Sequence, residues 1–185
     1  MKKSDVITIL VLILVLLITG AVTWYLKSNA TTVTEVTSAA DVALGTAEGQ
    51  SSYTTLDGDL VDLVDYRGDV LVVNSWASWC PFCVNELPHF EELAEIYKEQ
   101  GVTVLAINRK ERQNIARSYL DSVGGFDDVL FLLDPDDRFY SSIGGITMPE
   151  TIFYDAAGNV VVHKRGFMDL NEMRFHVDQA LAASE

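Results

Sequence analysis

Residues 76–83, Trp-Ala-Ser-Trp-Cys-Pro-Phe-Cys, constrain the fold of this chain more than any other stretch. They contain its only two cysteines, Cys80 and Cys83, in a C-x-x-C spacing. An apolar run at 70–76 predicts a strand covered on both faces, and a helical pattern follows at 81–100. The first turn of that helix would hold Cys80, where free backbone N–H groups and the helix dipole favour a thiolate. We expect Cys80 to be an accessible nucleophile and Cys83 to be a less exposed resolving thiol.

Two other uses of the cysteine pair compete with redox exchange. A structural disulfide at this spacing would close a very small loop, so it would constrain the unfolded chain little. A zinc site would need further ligands, and the sequence has neither a second C-x-x-C nor an H-x₃₋₅-H motif. The pattern therefore favours redox chemistry carried by the two sulfurs, with no metal and no cofactor.

A long apolar run at residues 6–26 predicts a membrane segment. It holds 21 residues without a charge, and at about 1.5 Å per helical residue it spans roughly the 30 Å hydrocarbon core. Lys2 and Lys3 precede it, which predicts that residues 1–5 are cytoplasmic and that the bulk of the chain lies outside. A cleaved signal peptide is the competing interpretation, but bulky side chains at 24–26 stand where small ones would be needed. We therefore expect an uncleaved signal anchor in a single-pass protein of the cell membrane.

Composition divides the remaining chain into a linker and one domain. Residues 27–49 are rich in Ser, Thr, Ala and Gly, which predicts a flexible linker. Residues 50–185 are long enough for one domain with a hydrophobic core. Beyond residue 27 the chain has 10 Lys and Arg against 26 Asp and Glu, so its exterior is acidic. This charge argues against a nucleic-acid partner, and we expect the soluble domain to be a monomer.

Within this domain the pattern predicts strands that alternate with helices. An Asp-Gly pair at 57–58 joins two short strands into an N-terminal β-hairpin. Further strands are predicted at 102–107, 129–133, 151–154 and 160–164, and helices at 111–122, 134–143 and 169–183. This order indicates an α/β domain whose mixed central sheet is flanked by helices.

Several motifs are similar to those of a known family. They are the stretch 72–83, the triplet Glu-Leu-Pro at 86–88, and Met-Pro-Glu-Thr-Ile-Phe-Tyr-Asp at 148–155 followed by Gly158. Together they resemble the thioredoxin-fold thiol–disulfide oxidoreductases of the membrane-anchored TlpA/ResA/CcmG type. The resemblance covers roughly residues 50–185 and implies a thioredoxin fold.

The resemblance also implies chemical roles. Cys80 and Cys83 would form the redox-active disulfide, with Cys80 as the attacking thiol and Cys83 as the resolving one. Asn74 stands where thioredoxin has a buried aspartate, so it cannot accept a proton. Glu86 matches an acidic residue of ResA-like proteins and would take the proton of Cys83. Its alternative is a solvated position on the helix surface.

A substrate-binding region is implied beside the disulfide. Pro149 would be a cis-proline, and the backbone of Met148 would pair with an extended substrate segment. Trp79, Pro81 and Phe82 are expected to contact partners as well. Phe82 brings no charge to the attacking cysteine, so the expected reduction potential lies between those of thioredoxin and DsbA, about −270 to −120 mV.

The expected function is reduction of disulfides in exported proteins, such as apocytochrome c. Because the outside compartment is oxidising, a membrane electron carrier of the CcdA/DsbD kind would have to re-reduce the cysteines. One alternative is a dithiol oxidase that donates its disulfide to exported proteins, for which Pro81 is a mild indication. The other is a client-binding module with a thioredoxin fold and incidental cysteines.

Overall fold

The computed structural model describes residues 16, 19–21 and 52–185. Residue 16 and residues 19–21 are helical. Most of the predicted membrane segment at 6–26 and all of the predicted linker at 27–49 lie outside these residues. Within the described part of the chain, no helix combines the length and the apolar character needed to cross a bilayer. The anchor and the linker therefore stay predictions.

Strands and helices alternate along residues 52–185. The strands are β1 (Ser52–Thr55), β2 (Leu60–Asp62), β3 (Val70–Trp76), β4 (Val102–Arg109), β5 (Leu130–Asp134), β6 (Glu150–Tyr154) and β7 (Val160–Arg165). The α-helices are α1 (Pro81–Tyr97), α2 (Gln113–Val123), α3 (Arg138–Ser142) and α4 (Leu170–Ala183). Two 3₁₀ helices span Leu63–Tyr66 and Lys98–Gln100. The predicted α/β alternation and the N-terminal hairpin are confirmed.

All seven strands form one mixed sheet in the order β2-β1-β5-β4-β3-β6-β7. Strands β3, β4 and β5 are parallel to one another, whereas the remaining pairs are antiparallel. The N-terminal hairpin extends the sheet beyond β5, with Thr54 opposite Leu133. The predicted mixed sheet is therefore confirmed.

Strand β3 lies inside the sheet, between β4 and β6, and leads directly to the cysteine motif. All seven of its residues are buried, as its apolar run predicts. It pairs with β4 up to Trp76 opposite Asn108, and with β6 up to Ser75 opposite Glu150. Apolar clusters cover both faces of the strand. The start of the motif is thus held by hydrogen bonds on two sides and by packing above and below.

Helix α1 carries the motif on its first turn and a buried stripe along its length. Apolar residues recur along it at spacings of three and four, and all of them are buried: Leu87, Phe90, Ala94 and Tyr97. The chain then turns at Gly101, whose φ of 70° lies in the left-handed region that favours glycine. This packing fixes the helix that presents the two cysteines.

Two predicted helices begin later than expected. Helix α2 begins at Gln113 and not at Glu111, because the Glu111 side chain binds the backbone before Cys80. Helix α3 is a short element because the chain first makes a turn in which Asp137 has a φ of 60°. Local sequence could not indicate either effect, since both depend on contacts or backbone angles outside the helical pattern.

The last helix has a side-chain N-cap but not a full capping box. The Asp169 side chain accepts the N–H of Glu172 at 2.9 Å. The Glu172 carboxylate pairs with the Lys164 ammonium of β7 and makes no return bond to the cap. The ion pair between Glu172 and Lys164 therefore takes the place of the second hydrogen bond of a capping box.

Candidate active site

Cys80 and Cys83 form a disulfide at the start of α1, with their Cα atoms 5.3 Å apart. Cys80 is the N-cap, and its sulfur accepts the N–H of Cys83 at 3.2 Å. Pro81 occupies the first helical position, where a missing N–H costs nothing. The predicted place of Cys80 at the junction of a strand and a helix is confirmed.

Both cysteines are buried in this disulfide form. Cys80 is 4% exposed and Cys83 is 1% exposed, because both belong to the main apolar cluster. The expectation of an accessible Cys80 is therefore wrong for the oxidised protein. Cys83 is the less exposed of the two, as predicted, although the difference is small.

Glu86 follows Cys83 by one helical turn and faces the interior. Its side chain is 0% exposed, and neither carboxylate oxygen has a hydrogen-bond partner of good geometry. Burial raises the pKa of Glu86 to about 8, although the Met168 backbone N–H and the Lys164 ammonium offset part of the rise. The solvated alternative for Glu86 is therefore wrong, and a neutral carboxylic acid prevails below that pH.

Apolar side chains flank the disulfide on the solvent side. Trp79 is 60% exposed and Phe82 is 63% exposed. Pro81 between them is exposed as well. Exposed apolar residues that cluster in sequence beside a reactive centre are typical of a partner-binding surface. Their substrate contacts stay predictions.

The Met148–Pro149 peptide bond is cis, as the resemblance implied. Pro149 is buried and directly precedes β6, whose first residue lies opposite Ser75 near the end of β3. Met148 packs against the cluster that contains both cysteines. Within residues 52–185 its backbone N–H and C=O make no hydrogen bond. The proposed pairing edge is therefore unoccupied by the described chain.

Glu111 is a site residue that the sequence analysis missed. Its carboxylate accepts the Ser78 N–H at 2.8 Å, the Ser78 hydroxyl at 2.6 Å and the Asn108 side-chain N–H at 2.7 Å. It thereby ties the segment before Cys80 to the end of β4. Only its place directly after a buried strand could have indicated this role, and that signal is weak.

Glu150 and His163 form a second group that the sequence did not predict. Glu150 is fully buried, and its Oε2 lies 2.6 Å from Nε2 of His163. Although burial acts against the charge, the N–H groups of Ile146 and Thr147 and the nearby His163 hold the pKa of Glu150 below its usual value. His163 lies on the edge strand β7 and partners Glu150, the residue that follows the cis-proline.

Comparison with known proteins identifies the family of this chain. The sequence profile of the Redoxin family matches residues 30–181. The chain belongs to the Redoxin family. It is 29% identical to the thiol–disulfide oxidoreductase ResA of Geobacillus thermodenitrificans, over 96% of this chain and 98% of the relative. It is 32% identical to the thiol:disulfide interchange protein DsbE of Vibrio cholerae, over 62% of this chain and 58% of the relative.

The fold also matches solved structures. A thiol:disulfide interchange protein of the thioredoxin family from Chlorobium tepidum superposes with a TM-score of 0.61 and 28% identity, over 70% of this chain and 92% of that one. The thioredoxin-like fold and the resemblance to the TlpA/ResA/CcmG type are confirmed. With its buried Cys80–Cys83 disulfide, this family member is a protein-disulfide oxidoreductase.

Proposed function

We propose that this chain reduces disulfides of exported proteins while it is held at the cell membrane by residues 6–26. The observation that carries the proposal is the Cys80–Cys83 disulfide at the start of α1, with the buried acid Glu86 one turn further on. Apocytochrome c is the substrate that the TlpA/ResA/CcmG resemblance suggests.

The reaction begins from the reduced pair. The Cys80 thiolate attacks one sulfur of the substrate disulfide, forms a mixed disulfide and releases the other substrate sulfur as a thiolate. Cys83, once deprotonated, attacks the Cys80 sulfur and forms the intramolecular disulfide. The second substrate thiolate leaves, and both substrate thiolates take up protons. Two electrons have then passed to the substrate, and a membrane carrier of the CcdA/DsbD kind returns two electrons to the pair.

Glu86 is suited to the proton transfer that this sequence requires. Its pKa of about 8 is close to the ordinary thiol value of about 8.5, so transfer from Cys83 is nearly balanced. The spacing of three residues on one helix places the two side chains on the same face. The ionised form of Glu86 therefore accepts the Cys83 proton as that sulfur becomes the nucleophile.

The charges around the motif favour a reductant. Neither Pro81 nor Phe82 supplies the cation that would stabilise a Cys80 thiolate. Oxidants such as DsbA are strong because their reduced form is stabilised, and this pair lacks that stabilisation. We therefore favour reduction over the oxidase alternative.

The reduction potential tests the direction. The full-length chain is equilibrated with glutathione buffers of graded redox poise, and the fraction of free thiol at Cys80 and Cys83 is followed by alkylation. We expect a midpoint nearer to −270 mV, as in thioredoxin, than to −120 mV, as in DsbA, on the approximate scale of known proteins. A midpoint potential of about −120 mV would overturn the reductase proposal and favour the oxidase alternative.

A further inference from the structure

The segment 144–148, just before the cis-proline, is held by side chains from two directions. The Tyr140 hydroxyl donates to the Thr147 carbonyl at 2.7 Å. From the other side, Oε1 of Glu150 accepts the N–H of Ile146 at 2.7 Å and that of Thr147 at 2.8 Å. Both polar backbone groups of Thr147 are therefore satisfied by side chains.

Tyr140 is itself fixed by its neighbours. The Arg109 guanidinium lies 3.5 Å from the centre of the Tyr140 ring. Two hydrogen bonds to the Asp137 carboxylate, at 2.7 and 2.5 Å, hold that guanidinium in place. Gly145 packs so closely that a Cβ there would lie 2.5 Å from the ring. The Tyr140 ring and the segment 144–148 therefore leave no room for a side chain at position 145.

Met148 is the exception in this arrangement. Thr147 before it is bonded as described, and the Pro149 carbonyl after it accepts the Gly166 N–H at 2.8 Å. The N–H and C=O of Met148 make no hydrogen bond within residues 52–185. The chain thus fixes the backbone on both sides of one residue and leaves that residue's own donor and acceptor for another strand.

We propose that Tyr140 and Glu150 are positioning residues that hold the Met148 backbone ready to pair with an extended peptide substrate. This inference rests on the proposed function, which assigns the substrate to that edge. No hydrogen bond joins either side chain to Cys80 or Cys83 within the described residues 52–185. Their effect therefore falls on peptide binding and leaves the chemistry of the sulfurs unchanged.

Two probes separate binding from chemistry. The reduced full-length chain is mixed either with an extended peptide whose cysteine is disulfide-bonded to thionitrobenzoate, or with the small reagent dithiobisnitrobenzoate. Each reaction releases the same chromophore, but only the first offers a backbone to Met148. Tyr140→Phe removes one hydroxyl and keeps the ring. We expect it to raise KM for the peptide about three- to tenfold, the range for one lost hydrogen bond, and to leave kcat, the small-reagent rate and the reduction potential unchanged.

Tyr97→Phe is the matched control. It deletes a hydroxyl that donates at 2.8 Å to Asp178, between α1 and α4 and away from the 144–148 segment. This variant should react with both probes as the parent does. Gly145→Ala supplies an independent disturbance, since the new methyl group must displace the Tyr140 ring, and it should again raise KM for the peptide alone.

Two results would overturn the inference. One is an unchanged KM for the peptide in both Tyr140→Phe and Gly145→Ala. The other is an equal loss of reaction with peptide and small reagent, which would indicate general damage to the site. Failure of the proposed function is distinct, because it would appear as a reduction potential close to that of DsbA in the unaltered chain, whatever the KM values of the variants.

Discussion

Glu86 carries its carboxyl group into the apolar interior one turn after Cys83. Burial raises its pKa from 4.5 to about 8. Between these two pH values the folded chain keeps a proton on this carboxyl group that the unfolded chain has released. The neutral acid is compatible with the interior, whereas the carboxylate there has no hydrogen-bond partner of good geometry and is only partly compensated by the Met168 N–H and the Lys164 ammonium. The same burial that brings its pKa close to that of a thiol must therefore weaken the fold at alkaline pH.

Glu86→Gln tests this loss of stability at alkaline pH. The raised pKa means that stability is fully present below about pH 4.5 and is lost as pH rises through about 8. Glutamine does not titrate. The free energy of unfolding of Glu86→Gln, relative to that of the parent, should therefore rise by roughly 1.4 kcal/mol per pH unit between the two pKa values. Urea unfolding of the oxidised full-length chain at pH 5, 7 and 9 measures the difference.

Glu92→Gln is the control, because Glu92 is exposed on the same helix. Its stability relative to the parent should not change with pH. An equal difference between Glu86→Gln and the parent at pH 5 and pH 9 would show that Glu86 is not a buried acid with a raised pKa.

Residue roles differ in how far the sequence could predict them. The place of Cys80 follows from local patterns, since an apolar strand and a helix meet at the motif. The burial of Glu86 does not, because an acidic residue near Glu91 and Glu92 is compatible with a solvated face. The partnership of His163 with Glu150 depends on the pairing of β6 with β7, which no local pattern specifies.

At the scale of elements, the segment between β3 and α1 is held by a side chain from beyond the next strand. Glu111 follows β4, which is parallel to β3, so both strand ends reach the same edge of the sheet. Its carboxylate is nearly buried and takes three hydrogen bonds, two of them from Ser78. The position of Cys80, two residues after Ser78, therefore depends on contact between two strand ends.

Removal of this contact should be costly. Glu111→Ala leaves the N–H groups of Ser78 and Asn108 without their acceptor, and each unsatisfied buried group costs about 1–3 kcal/mol. We expect a loss of roughly 2–4 kcal/mol in the free energy of unfolding. Ser78→Ala deletes only the hydroxyl bond and should lose about 1 kcal/mol. Urea denaturation of the oxidised chain measures both, with exposed Glu92→Ala as the control. A loss for Glu111→Ala no larger than that for Ser78→Ala would contradict the anchoring role.

Elements with a strong apolar pattern were predicted best. Strand β3 agrees residue for residue, and helix α1 begins at the predicted residue, because both are specified by their own burial. The start of α2 was misplaced because Glu111 serves a tertiary contact. The cis bond before Pro149 was available only from family resemblance, since local sequence does not distinguish it from the common trans form.

At the scale of the whole molecule, residues 52–185 bury the redox pair and leave apolar side chains exposed beside it. The chain has a net charge of −14, whereas the residues beside the disulfide, Trp79, Pro81 and Phe82, are uncharged and exposed. We propose that a partner is bound by apolar contacts and by the backbone edge at Met148. The predicted membrane segment at 6–26 would keep these residues outside the cytoplasm, among the exported proteins that we propose as substrates.

Trapping tests the central claim, that Cys80 attacks protein disulfides and Cys83 resolves them. Cys83→Ala in the full-length chain removes the resolving thiol, so mixed disulfides at Cys80 should accumulate with exported proteins. They should appear as larger species on non-reducing gels, disappear with reductant and be absent from the Cys80→Ala, Cys83→Ala double variant. If no adduct forms while client binding survives Cys80→Ala, the account is contradicted and the chain is a binding module with incidental cysteines.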